Sequence, residues 1–131
     1  MSDPTNPLEW VEYAEEDWRS AKKLLRGSRP SATNSCFHSQ QSAEKYFKAL
    51  LVSQKAYFPK THDLSSLNTL NTLCAENGIL TGFNNSLLTI LSNYAIATRY
   101  PGEMPTVEDA KEAIDIAKSV RKFSRKWLGL K

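Results

Sequence analysis

Five polar side chains with complementary chemistry crowd into CFHSQQSAEKYFKALL, the stretch from Cys36 to Leu51: His38, Gln41, Glu44, Lys45 and Lys48. At about 100° per residue, Phe37, Gln41, Glu44 and Lys48 follow one another along a single helical row. His38, Gln41 and Lys45 make a second row beside it. An imidazole can move a proton, ammonium groups can hold phosphate, and a carboxamide and a carboxylate can orient a ligand. The same flank could be solvated surface, the wall of a polar cleft, or a self-complementary contact with a second subunit. Glu44 and Lys48 are also an i,i+4 pair in the favourable order, worth only about 0.2–0.5 kcal/mol. That pairing leaves Phe37 and Gln41 in the same row unexplained.

Further along, Arg99 precedes Tyr100-Pro101. As a cation at a helix end, Arg99 would favour the C-terminal dipole by roughly 0.3–1 kcal/mol. As a planar fork, it would grip a phosphate in two-pronged fashion. Tyr100 would pack under the proline turn or stack on a base. His62, between Thr61 and Asp63, suits the bracing of a helix start. His38, sharing its flank with Gln41 and Lys45, is the better proton-transfer candidate of the two histidines.

These groups need helices to position them, and the apolar spacing supplies five. The first opens at Asn6-Pro7-Leu8-Glu9, with Asn6 as N-cap, Pro7 at the first helical position and Glu9 placed to answer the cap. Trp10, Ala14, Asp17/Trp18, Ala21 and Leu24/Leu25 recur until Gly27 and Pro30. The second runs over about 31–55, with Cys36, Ala43, Phe47, Leu50 and Leu51 as its buried stripe. Thr61 or Asp63 caps a third, which ends at Asn77-Gly78. The fourth spans about 85–98, and Pro101 forces Tyr100 out of helical geometry. The fifth starts at the cap Thr106 and carries Val107, Ala110, Ile114, Ala117, Val120 and Trp127 inward. Its Lys118, Lys122 and Arg125 share an outer face, either solvated or touching an RNA backbone. No alternating strand pattern and no repeat is visible, so the expectation is one all-α domain over residues 1–131, an up-and-down bundle of four to five helices.

Composition narrows the classes further. The 131 residues, 40% hydrophobic and 24% charged, suit a soluble globular domain with one core. A net charge of +3 permits an anionic partner without demanding one. No uninterrupted apolar run reaches the roughly 18 residues of a membrane span. No secretory signal is visible, and Cys36 and Cys74 occupy apolar helix positions, which together point to a reduced, cytoplasmic setting. Phosphate-cradling GxGxxG and GxxxxGK[ST] loops, HExxH and CxxC metal patterns, and the GxSxG nucleophile elbow are all missing. No cofactor, sequence-specific DNA target or membrane partner is therefore expected.

Three segments together resemble the HEPN domain family. They are CFHSQQSAEKYFKALL, Thr61-His62-Asp63-Leu64, and Tyr94 followed by Ala97-Thr98-Arg99-Tyr100-Pro101-Gly102-Glu103, with Ala14–Lys22 similar to that family's first helix. The resemblance spans essentially the whole chain in matching order. It implies a HEPN-like helical bundle that commonly forms a homodimer and associates with nucleotides or RNA. Many small prokaryotic members pair with a minimal nucleotidyltransferase, in toxin–antitoxin-like systems. Members with ribonuclease activity carry an arginine followed four to six residues later by a histidine. Here Arg99 is followed by Tyr100-Pro101-Gly102-Glu103-Met104-Pro105-Thr106, which contains no histidine. The resemblance thus favours a nucleotide- or RNA-associated partner subunit over a ribonuclease.

On that reading Arg99 and Lys48 hold phosphate, Tyr100 stacks on a base, and Gln41, Glu44 and His38 complete the site. No catalytic residue is assigned. Two alternatives stand beside it. One is a metal-independent ribonuclease with His38 or His62 as general base. The other is a purely structural dimerisation module built on the polar row.

Overall fold

A computed structural model describes residues 5–56, 67–97 and 104–131, with the side chains of 95–97 set apart. Five helices appear in it: α1 (Pro7–Lys23), α2 (Ala32–Ser53), α3 (Leu67–Glu76), α4 (Asn85–Ala97) and α5 (Val107–Trp127). No strand occurs among the described residues. His62, Arg99 and Tyr100, together with the expected caps Thr61 and Asp63, lie outside them.

The helix starts follow from local chemistry. The Asn6 carboxamide oxygen accepts from the Leu8 N–H at 2.9 Å, with Pro7 directly after the cap. Glu9 meets Asn6 only through the backbone, its N–H donating to the Asn6 carbonyl at 3.0 Å. Thr106 and Asp109 make a reciprocal capping box: the Asp109 N–H donates to Thr106 Oγ1 at 3.1 Å, and the Thr106 N–H to Asp109 Oδ2 at 2.9 Å. Such a box satisfies two N–H groups that a helix start leaves without partners. At the end of α3, Gly78 takes φ +85, a left-handed geometry that costs glycine nothing. This allows the Ile79 N–H to turn back onto the Cys74 carbonyl at 2.8 Å.

α2 is the hub and packs against all four other helices, most extensively against α1 and α5. Its sequence explains why. Small residues (Ser35, Ser39, Ser42, Ala43, Ala49) let neighbouring backbones come close, while Tyr46, Phe47, Leu50 and Leu51 fill the space between them. Leu67 and Leu70 of α3, Leu88 and Leu91 of α4, and Val120 of α5 meet them in one shared core. Ser35 Oγ donates to the Ala21 carbonyl at 2.7 Å, fastening α2 to the end of α1. Phe47, Phe83, Phe123 and Trp127 run outward in an aromatic series, with successive centroids 6.3, 5.7 and 6.1 Å apart.

Trp127 departs from expectation. Its helical position points inward, yet it is 43% exposed. It stands in the last turn of α5, where stacking on Phe123 covers only one ring face. Burial pushes both Cys36 and Cys74 thiols up to about 12, for Cys36 with help from the nearby Asp109 charge. Both therefore remain protonated core residues at neutral pH.

Candidate functional site

An enclosed helix still leaves α2 one open edge. Asn34, Phe37, His38, Gln41, Lys45 and Lys48 recur along it at helical spacing, each exposed or half-buried. Phe37 is the most outward apolar member at 41% exposed, its ring edge-on to His38 with centroids 5.5 Å apart. Beyond the ridge's head, the Thr33 hydroxyl meets Met104 Sδ at 3.9 Å.

The polar groups divide into pairs that the sequence alone does not reveal. His38 Nδ1 lies 2.7 Å from Asp17 Oδ1, and Lys45 Nζ donates to Asp17 Oδ2 at 2.5 Å. Asp17 is only 8% exposed, so these two cations or donors hold its carboxylate in place. An ionised carboxylate accepts only, so His38 Nδ1 carries the hydrogen. Nε2 has no partner among the described residues and is the nitrogen left for other work. Lys48 Nζ sits 3.4 Å from Glu44 Oε2 and 5.2 Å from the centre of the Trp10 ring. Gln41 Nε2 donates to Gln40 Oε1 at 2.9 Å.

Among the expected site residues, then, Lys48 and Glu44 are in contact, His38 joins Lys45 through Asp17, and Gln41 lies between the two pairs. Whether Arg99 and Tyr100 meet this ridge falls outside the described residues.

A second polar cluster knits α1, α2 and α5 around Glu15. Glu15 accepts from Tyr46 Oη at 2.5 Å and from Arg121 Nε and Nη2 at 2.7 and 2.8 Å. Arg125 Nη1 stands 3.7 Å from Glu15 Oε1 and 3.4 Å from Tyr46 Oη. The rest of the Arg125 fork donates to the Lys131 carbonyl at 2.8 and 2.5 Å. Arg125 is therefore turned inward, unlike the outer-face position its spacing suggests, because Glu15 and the chain end draw its guanidinium.

Burial alone would push the Glu15 carboxyl up. The hydrogen bonds from Arg121 and Tyr46 and the two guanidinium charges outweigh it and leave the group below its ordinary value. Burial and the bond to Glu15 push the Tyr46 phenol up to about 12. These groups satisfy one another, which makes the cluster a structural clamp.

With that geometry in hand, the HEPN domain model matches residues 8–127. The chain belongs to the HEPN domain family. A solved structure, TT1696 from Thermus thermophilus, is similar to this HEPN chain with a TM-score of 0.68 at 26% identity, covering 92% of this chain and 96% of that one. No curated protein matches. Among the described residues of this HEPN domain, no three His, Cys, Asp or Glu side chains gather as a metal site requires. No described helix is long and apolar enough to cross a membrane.

Asp17, Glu15 and Tyr46 are the residues that spacing rules overlooked. For Asp17 a signal was present: an acid standing between Ala14 and Ala21 on an apolar stripe. Such a placement asks for a cation from the facing helix.

Proposed function

We propose that this HEPN domain is a dimeric, nucleotide- or RNA-associated partner subunit that works with a minimal nucleotidyltransferase, in the manner of a toxin–antitoxin pair. The observation that carries this reading is Phe37, 41% exposed on the ridge of a helix otherwise enclosed by four neighbours. Beneath the ridge Glu44, only 8% exposed, is paired with Lys48, while Lys45 and Lys48 reach the ridge surface. HEPN domains commonly dimerise, which fits.

In the proposed site Arg99 and Lys48 hold phosphate, Tyr100 stacks on a base, and Gln41, Glu44 and His38 orient the ligand. Support comes from the contact between Met104 and Thr33, which fastens the chain just after the Arg99 segment to the head of α2. A lost charge-assisted bond costs about 1.5–3 kcal/mol, roughly a tenfold or greater change in affinity. Calorimetric titration with nucleoside triphosphates should therefore weaken at least that much in Arg99→Ala. Equal or absent heats in both proteins, with and without the nucleotidyltransferase, would remove the nucleotide-binding part.

The Asp17–His38 pair favours a second reading. A carboxylate that fixes one imidazole nitrogen leaves the other available as a general base against a ribose 2′-OH. RNA cleavage in the presence of chelator, lost in His38→Ala, is the expected result of that reading. RNA left intact after long incubation with wild-type protein would end it.

A further inference from the structure

Two open grooves flank α1, and their linings differ in sign. One, of about 600 Å³, is bordered by Glu12, Glu15 and Glu16 against Arg19 and Arg125. The other, of about 450 Å³, lies where α1 hands over to α2 and is bordered by Lys23, Arg26, Arg29 and His38, with Ser20 and Ser31. Among the described residues, no carboxylate borders this second groove. Lys23, Arg26 and Arg29 have no ion-pair partner among the described residues, whereas neighbouring Lys22 is spent on the Trp18 face at 5.1 Å. The nearest acid to His38, Asp17, is already engaged by His38 and Lys45.

Helix-dipole compensation accounts for Lys23, which lies in the last turn of α1. It does not account for Arg26 and Arg29, which follow the helix end, where the dipole's influence has faded. Their placement is built in. Gly27 at φ +88 makes the turn between them, and the Ser31 N–H closes the loop onto the Leu24 carbonyl at 2.7 Å. Asn34 Nδ2 donates to Ser31 Oγ at 3.0 Å, leaving that hydroxyl's own hydrogen free to donate. His38 is held from behind by Asp17 through Nδ1, so Nε2 is its free edge.

We infer that this groove is a phosphate-binding site, sharing only His38 with the ridge. Its ligand class is a compact phosphate or pyrophosphate group with an unesterified end, gripped by two guanidinium forks and one ammonium. That group has two possible sources: a free polyphosphate, or the 5′-phosphate of a short RNA.

The test is amide-resolved NMR titration of the full chain with three probes: inorganic pyrophosphate, a 5′-phosphorylated hexaribonucleotide, and its 5′-hydroxyl counterpart. Shifts should centre on residues 23–31, and binding should fall about tenfold or more in Arg26→Ala/Arg29→Ala. Both substitutions are in an exposed loop, and circular dichroism checks that the helices survive. Shifts confined to residues 41–48 would instead report the ridge, so a failed ridge site and a failed groove give different results.

Binding of pyrophosphate alone sustains the proposal and assigns a free polyphosphate. Preference for the phosphorylated over the hydroxyl oligonucleotide sustains it and assigns an RNA end. No binding of pyrophosphate or of the phosphorylated RNA, full binding in the double variant, or shifts confined to residues 41–48 would overturn it.

Discussion

Glu15→Ala should destabilise the fold by about 2–3 kcal/mol, below the roughly 3–5 kcal/mol of a fully buried pair because these side chains retain some solvent. The substitution removes one carboxylate yet strands two donors, the Tyr46 phenol on α2 and the Arg121 guanidinium on α5, and takes away the charge beside Arg125. Three helices lose their shared tie at once. For a chain of this size the change corresponds to a melting shift of roughly 6–12 °C. Glu15→Gln, which keeps an acceptor but not the charge, should cost less.

The sign of the pH dependence follows from the depressed Glu15 carboxyl. Its contribution is fully present above the unfolded value of about 4.3, and it is lost as pH falls through the lower folded value. Denaturant titrations from about pH 7 down to about pH 3 should show an acid limb that is steeper in wild type than in Glu15→Gln. A loss under about 0.5 kcal/mol in Glu15→Ala would mean that the cluster behaves as a solvated surface pair.

Why this clamp escapes a sequence reading is instructive. Glu15 and Arg121 are 106 positions apart, and each sits among polar neighbours on its own helix. Periodicity assigns both to the surface, because a long side chain reaching across a helix junction leaves no mark in local spacing. The pairing of Asp17 with His38, 21 positions away, is hidden for the same reason. What local chemistry controls is legible: the caps at Asn6 and Thr106, the stop at Gly78 and the apolar stripe of α2 all appear where residue types place them.

Trp127 marks the limit of the stripe rule. An inward angle buries a side chain only where another layer covers it, and Trp127, at the very end of α5, stays 43% exposed. The candidate site was legible as a row of residue types on α2, and partly legible as a family resemblance around Arg99. Its pairing through Asp17 was not legible, since those bonds span 21 and 28 positions, whereas a local pair such as Glu44–Lys48 could be inferred.

The ridge itself supplies the second large effect. Joining two copies through α2 would bury two Phe37 rings, each worth about 1.5–3 kcal/mol when fully removed from water. Phe37→Arg forfeits that gain and sets like charges facing each other near the two-fold axis. Together these should weaken self-association by about 100-fold or more. The fold should survive, because Phe37 points outward and is no part of the core. Circular dichroism of the variant should match wild type.

The decisive measurement is the solution mass of wild type and Phe37→Arg by light scattering at matched concentrations. Wild type should show twice the 14.8 kDa chain mass and the variant a single chain mass. A monomeric wild type, or a variant that remains a dimer, would contradict the claim that the open edge of α2 is where this HEPN domain meets its own copy.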